Sequence, residues 1–81
     1  MKIRVLFFAQ LREAFGKEEC IVETKEGITA EGLVRLLIRQ AGLRQLATLS
    51  LLYAVNEQFE NGDKRLKDQD ILAVMMPVAG G

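Results

Sequence analysis

Hydrophobic and polar positions alternate at the start of the chain. KIRVLFF (2–8) predicts a strand with Ile3, Val5 and Phe7 on one side and Lys2, Arg4, Leu6 and Phe8 on the other. AQLREAFG follows, with Leu11 and Phe15 four apart, which predicts one or two helical turns stopped by Gly16. ECIVETK (19–25) predicts a second strand, with Cys20, Val22 and Thr24 opposite Ile21 and Glu23. The connection is short enough for these two strands to pair antiparallel. The period then lengthens. AEGLVRLLIRQA has apolar residues at 33, 34, 37, 38 and 41, with Arg35 and Arg39 on the other side, so a helix is expected from an N-cap at Thr29 to Gly42. Glu31 in its first turn favours the helix dipole. Gly32 within it costs about 1 kcal/mol relative to alanine. LRQLATLS reads as a loop with a short turn. LLYAVN (51–56) predicts a strand from its aromatic and β-branched content. Asn61-Gly62-Asp63 signals a turn, and ILAVMM (71–76) predicts a last strand that Pro77 ends.

The order strand, strand, helix, strand, strand defines an α+β protein. The first and last strands are apolar on both faces, which suits the centre of a mixed sheet. One main helix covers one side of that sheet. This is a roll of the β-grasp kind, which also characterises ubiquitin. The expected organisation is one β-grasp domain over residues 1–76 and a free, flexible C-terminal tail over 77–81.

One helix leaves the second sheet face uncovered. If Ile3, Val5, Phe7, Leu72 and Val74 point toward the helix, then Leu6, Phe8, Ile71 and Met75 point away. Two readings stand. Lys2 and Arg4 could shield scattered apolar side chains, which is ordinary. Alternatively the face is a patch for a protein partner, where aromatic residues and methionine are enriched.

Composition narrows the chemistry. Lys and Arg total 11 and Asp and Glu total 11, so the chain lacks the charge that nucleic acid binding needs. The longest uncharged apolar run, ILAVMMPVAGG, is broken by Pro77 and is too short to span a membrane. The start of the chain lacks the cleavage site of a signal peptide. A single cysteine, Cys20, has no internal disulfide partner, and together these features point to the cytoplasm. There is no histidine, hence no histidine metal ligand or base. Cys20 lies in an alternating run, which reads as a half-buried structural thiol rather than a nucleophile. The chain is expected to bind no cofactor or metal itself.

What remains is the end, MPVAGG. By itself a terminal Gly-Gly reads as a frayed end. With KIRVLFFAQLRE near the start, TAEGLVRLL at the helix, AVN at 54–56 and LKDQDILAVMMPVAGG, it resembles the small subunit of molybdopterin synthase, a family of ubiquitin-like sulfur carriers. The resemblance covers essentially the whole chain. It departs from the common pattern at Val74-Met75-Met76, where an aromatic-rich pair followed by a second proline is often seen.

The resemblance implies that the Gly81 carboxylate does the work. An E1-like adenylyltransferase of the MoeB type would adenylate Gly81 with ATP. A sulfur-donating persulfide enzyme would supply the sulfur that replaces the adenylate, leaving a thiocarboxylate. The tail would enter the large subunit of molybdopterin synthase and pass sulfur to the cyclic pyranopterin monophosphate precursor, building the dithiolene of molybdopterin. The large subunit would supply the catalytic side chains, in a heterotetramer. Phe8, Phe59 and Met75 match positions through which the family docks on that subunit.

The chemistry suits these residues. A carboxylate is a poor acyl donor until it is activated, and activation divides a hard step into easier ones. Pro77 would launch the tail off the sheet, and Val78, Ala79 and Gly80 would carry Gly81 outward, residues 77–81 spanning roughly 17 Å when extended. Glycine has no Cβ, which lets a nucleotide and a partner backbone approach closely. Two other readings remain: a sulfur carrier for thiamine or tRNA thiolation or a ubiquitin-like modifier of lysines, and an interaction module with an inert tail.

Overall fold

The computed structural model describes residues 1–77. The expected tail positions Val78, Ala79, Gly80 and Gly81 lie outside the described residues. Five strands form one mixed sheet: β1 (Lys2–Phe7), β2 (Glu19–Glu23), β3 (Leu52–Val55), β4 (Gln58–Glu60) and β5 (Ile71–Met75), in the order β2-β1-β5-β3-β4. β1 and β5 are parallel neighbours at the centre, and the other pairings are antiparallel. The doubly apolar first and last strands therefore take the central places expected of them, and the α+β, β-grasp architecture is as the pattern predicts.

The main helix, α2, runs Ala30–Ala41 between an N-cap at Thr29 and a left-handed Gly42. The N–H groups of Ala30, Glu31 and Gly32, which have no acceptor within the helix, all find one outside its ladder. The Gly32 N–H donates to Thr29 Oγ1 at 3.0 Å, and the Leu33 N–H to the Thr29 carbonyl at 2.9 Å. The Ala30 and Glu31 N–H groups donate to the carbonyls of Lys64 and Gly62, each at 2.9 Å. A Cβ at Gly32 would lie 3.0 Å from Thr29 Oγ1. The glycine that weakens helix propensity thus leaves room for the cap, an interaction worth about 1 kcal/mol.

Ala30, Leu33, Val34 and Ile38 of α2 join one core cluster with Ile3, Val5 and Phe7 of β1, Leu72 and Val74 of β5, and Tyr53 and Val55 of β3. Leu11 closes one end from α1 (Gln10–Phe15), where Phe15 stacks on Phe7 with ring centroids 4.2 Å apart. Leu33 is fully buried, so truncating it to alanine costs about 2–5 kcal/mol. Ala41, expected on the apolar stripe, is exposed at the last helical position, and Ala30 at the first is buried instead.

LRQLATLS contains the short turn expected of it, a 3₁₀ turn at Arg44–Leu46 that buries Leu46. One feature differs from the expected order: there is a fifth strand, β4, and the chain reverses before it at Asn56-Glu57. Both residues have positive φ, 50° and 71°, as the tightest hairpin turns require. Glutamate is a poor fit to that conformation, so the sequence carries no strong turn signal there. Gly62 and Asp63 still form a turn, between β4 and the segment that caps α2.

Candidate functional site

Period two fixes which side chains reach the uncovered face. Leu6 pairs with Ala73, Ala73 with Ala54 and Ala54 with Phe59, so one row crosses β1, β5, β3 and β4. At about 4.8 Å per strand, that row is roughly 14 Å wide. Two alanines in the middle leave a shallow floor between larger side chains. A second row lies toward the C-terminal end of β5. Met75 pairs with Leu52, and Phe8 follows the Phe7–Val74 pair on the adjoining strand. The three residues proposed from sequence, Phe8, Phe59 and Met75, are therefore on one face. Phe59 is 73% exposed, Phe8 46%, and Met75 half-buried.

Leu52, 40% exposed, belongs to the same surface and was not singled out by the sequence reading. The signal was present, since period two puts Leu52 on the same face as Ala54 and opposite Tyr53 in a strand already recognised. Leu51, Leu52 and Phe59 also border an open groove of about 500 Å³ at the β3–β4 edge, with Gly62 at its end.

Charge does shield part of the face. Arg4 reaches across to Glu19, with Nε and Nη2 each 2.7 Å from Oε2. Ile21, beside Arg4 on β2 and 62% exposed, sits next to this pair. The face is thus divided: the β2 side carries an ion pair beside exposed Ile21, and an apolar row runs from Leu6 to Phe59.

β5 relates that surface to the tail. Its last residue, Met75, lies in the row of Phe8 and Leu52, and Met76 and exposed Pro77 follow directly. Pro77 lacks an N–H and stands outside the ladder. The chain leaves the sheet at the apolar end of the open face.

The titratable groups near the site do not resemble a catalytic centre. Cys20 is half-buried on the helix side of edge strand β2, where burial pushes its thiol up; Lys17 opposes this and Glu19 adds to it. A thiol so placed stays protonated at neutral pH. Among the described residues no group of His, Cys, Asp and Glu side chains could hold a metal ion. No helix among the described residues is long and apolar enough to cross a membrane.

The fold has counterparts in known proteins. The model of the ThiS family matches residues 5–81. The chain belongs to the ThiS family. The molybdopterin synthase sulfur carrier subunit of Escherichia coli (strain K12) is 38% identical over 81 residues, covering 98% of this chain and 99% of that protein. The subunit of the same name from Chlamydomonas reinhardtii is 30% identical over 83 residues, covering all of both. A solved structure from Pyrococcus furiosus, assigned as subunit 1 of a molybdopterin converting factor, superimposes with a TM-score of 0.82 at 25% identity. It covers 96% of this chain and 99% of its own. For a ThiS family member, the β-grasp roll is then a shared framework rather than a chance resemblance in topology.

Proposed function

We propose that this chain is the sulfur-carrier small subunit of molybdopterin synthase, with the Gly81 carboxylate as its reactive group. The observation that carries the reading is positional. β5 releases Pro77 at the end of the sheet where Phe8, Met75 and Leu52 form an exposed apolar row. A large subunit docked on that row lies against the origin of the tail. Full-length similarity to sulfur carrier subunits supports the same role.

In this reading the folded domain is a handle. The carboxylate attacks ATP in an adenylyltransferase, pyrophosphate leaves, and the acyl adenylate becomes the activated donor. The terminal sulfur of an enzyme persulfide then displaces AMP to give an acyl disulfide, and a second thiol of that enzyme attacks the inner sulfur, releasing the thiocarboxylate and closing an enzyme disulfide. The thiocarboxylate enters the large subunit, which provides the acid, base and anion-binding groups for transfer to the pterin precursor. The described residues of this chain fit a protein cosubstrate: its half-buried thiol is held protonated, and its apolar surface suits docking.

The test is intact-mass analysis after incubation with the cognate adenylyltransferase, ATP and a sulfur source. The reading expects replacement of one oxygen by sulfur, located at Gly81 by fragmentation. An unchanged mass with an active enzyme would refute it, and Gly81 in isopeptide linkage to lysines would assign the chain to the protein modifiers.

A further inference from the structure

Charge in this neutral chain is unevenly placed. From Gly32 to Asn56 there is no Asp or Glu, while Arg35, Arg39 and Arg44 all occur. The fold gathers these three. They line a groove of about 310 Å³ on the helix side of the molecule, with Ile38 and Ala47 as its apolar floor. No carboxylate lines it. Arg35 donates to Glu31 Oε1 from Nε at 3.0 Å and Nη2 at 2.7 Å, a surface pair that solvent weakens. Arg39 and Arg44 form no ion pair among the described residues. The negative end of the α2 dipole favours Arg39 in the last turn. It does not account for Arg44, beyond the helix on the 3₁₀ turn, converging on the same apolar floor.

We propose that this groove docks an acidic, partly apolar peptide segment of a protein partner, on the side of the sheet opposite the Phe8–Phe59 surface. Three features support that occupant over other anions. Arg35 and Arg39 stand one turn apart, about 6 Å along the helix, so these cations are spaced for successive carboxylates of a chain rather than as a cage for one anion. The groove lies near the C-terminal end of α2, which offers carbonyls and no free N–H groups, whereas phosphate sites use helix N-termini; here that N-terminus is already satisfied. Ile38 and Ala47 can cover apolar side chains between the acids. Three cations on a neutral domain are too few for the backbone of a nucleic acid.

The consequence is a carrier with two usable sides. A partner held at the arginine groove leaves the open sheet face free, so one protein could retain the carrier while another works on its tail.

The test is a titration of the full isotope-labelled chain with a short synthetic peptide alternating Glu and Leu, followed by amide chemical shifts. Shifts should centre on Arg35, Ile38, Arg39, Arg44 and Ala47, and affinity should fall as salt is added. Arg39→Glu or Arg44→Glu should weaken binding about tenfold or more. Arg39→Gln serves if a charge reversal unfolds the chain, and Phe59→Ala should bind the peptide unchanged. The proposal is overturned if the shifts map to the open face, if the arginine variants bind equally, or if a Lys/Leu peptide binds as well. It is also overturned if inorganic phosphate or oligothymidylate occupies the groove more tightly than the acidic peptide. A chain lacking Gly80 and Gly81 should keep peptide binding, which separates this proposal from the sulfur-carrier reading.

Discussion

Asn56 and Asp70 are 14 residues apart and joined side chain to side chain: Asn56 Nδ2 donates to Asp70 Oδ1 at 2.9 Å. The same Asn56 accepts from the Ile71 N–H at 3.0 Å, and Asp70 accepts from the Lys67 N–H at 2.8 Å. These bonds tie the β3–β4 turn to the first residue of the strand that leads to the tail. Asn56→Ala should cost about 1–3 kcal/mol, from the lost bonds and from alanine at positive φ. Asn56→Gly keeps the turn and loses only the bonds, so it should cost less. Urea unfolding midpoints of the two variants check the order.

Phe59 and Phe8 separate docking from folding. Both are exposed, so alanine at either position should change stability by no more than about 0.5 kcal/mol. Affinity for the large subunit should fall about tenfold or more at each, as for aromatic residues central to an interface. Leu52→Ala should weaken docking too. Calorimetric titration with the large subunit reads the loss; equal affinities would remove the open face from the interface.

The tail carries a sharper expectation. One residue added after Gly81 leaves only an amide where the carboxylate stood. Sulfur transfer should drop to background, while the amide spectrum of the folded domain stays unchanged. A fully active extended chain would defeat the carboxylate mechanism.

Cys20 should be dispensable for chemistry and visible in the pH dependence of stability. Cys20→Ala should transfer sulfur at the parent rate, because the proposed mechanism places the sulfur on the Gly81 carboxylate and burial keeps this thiol protonated. Burial raises the thiol in the folded state above its unfolded value. The resulting stabilisation is therefore complete below the unfolded thiol range and is lost as pH rises through the folded one. The advantage of the parent over Cys20→Ala should shrink on passing into alkali. Denaturant titrations on both sides of the thiol range measure it.

How much was legible in advance follows from how local each signal is. α2 was read at its observed ends because Thr29, Gly42 and the 3.6-residue stripe act within a few residues of one another. β2 carries period two along its own length, and β1 and β5 are short apolar-rich runs, the latter ended by Pro77. β4 has only three residues, Gln58–Glu60, and its turn depends on an Asn-Glu pair held at positive φ. What supports Asn56 there includes Asp70 and Ile71, residues that no window around the turn contains. Phe59 gains its place on the open sheet face only through that strand.

By itself the sequence determined the fold class, the central pair of strands, the capped helix and the absence of histidine, because periodicity, caps and composition are properties of neighbouring residues. Tertiary structure alone decided three things. Pairing register brought Leu6, Ala73, Ala54 and Phe59 into one row. The pairing of β1 with β2 brought Arg4 to Glu19, 15 residues away. Packing of the 3₁₀ turn beside α2 brought Arg44 to the groove of Arg35 and Arg39. Each joins residues distant along the chain, and such contacts are set by the geometry of the closed sheet and core rather than by local preference.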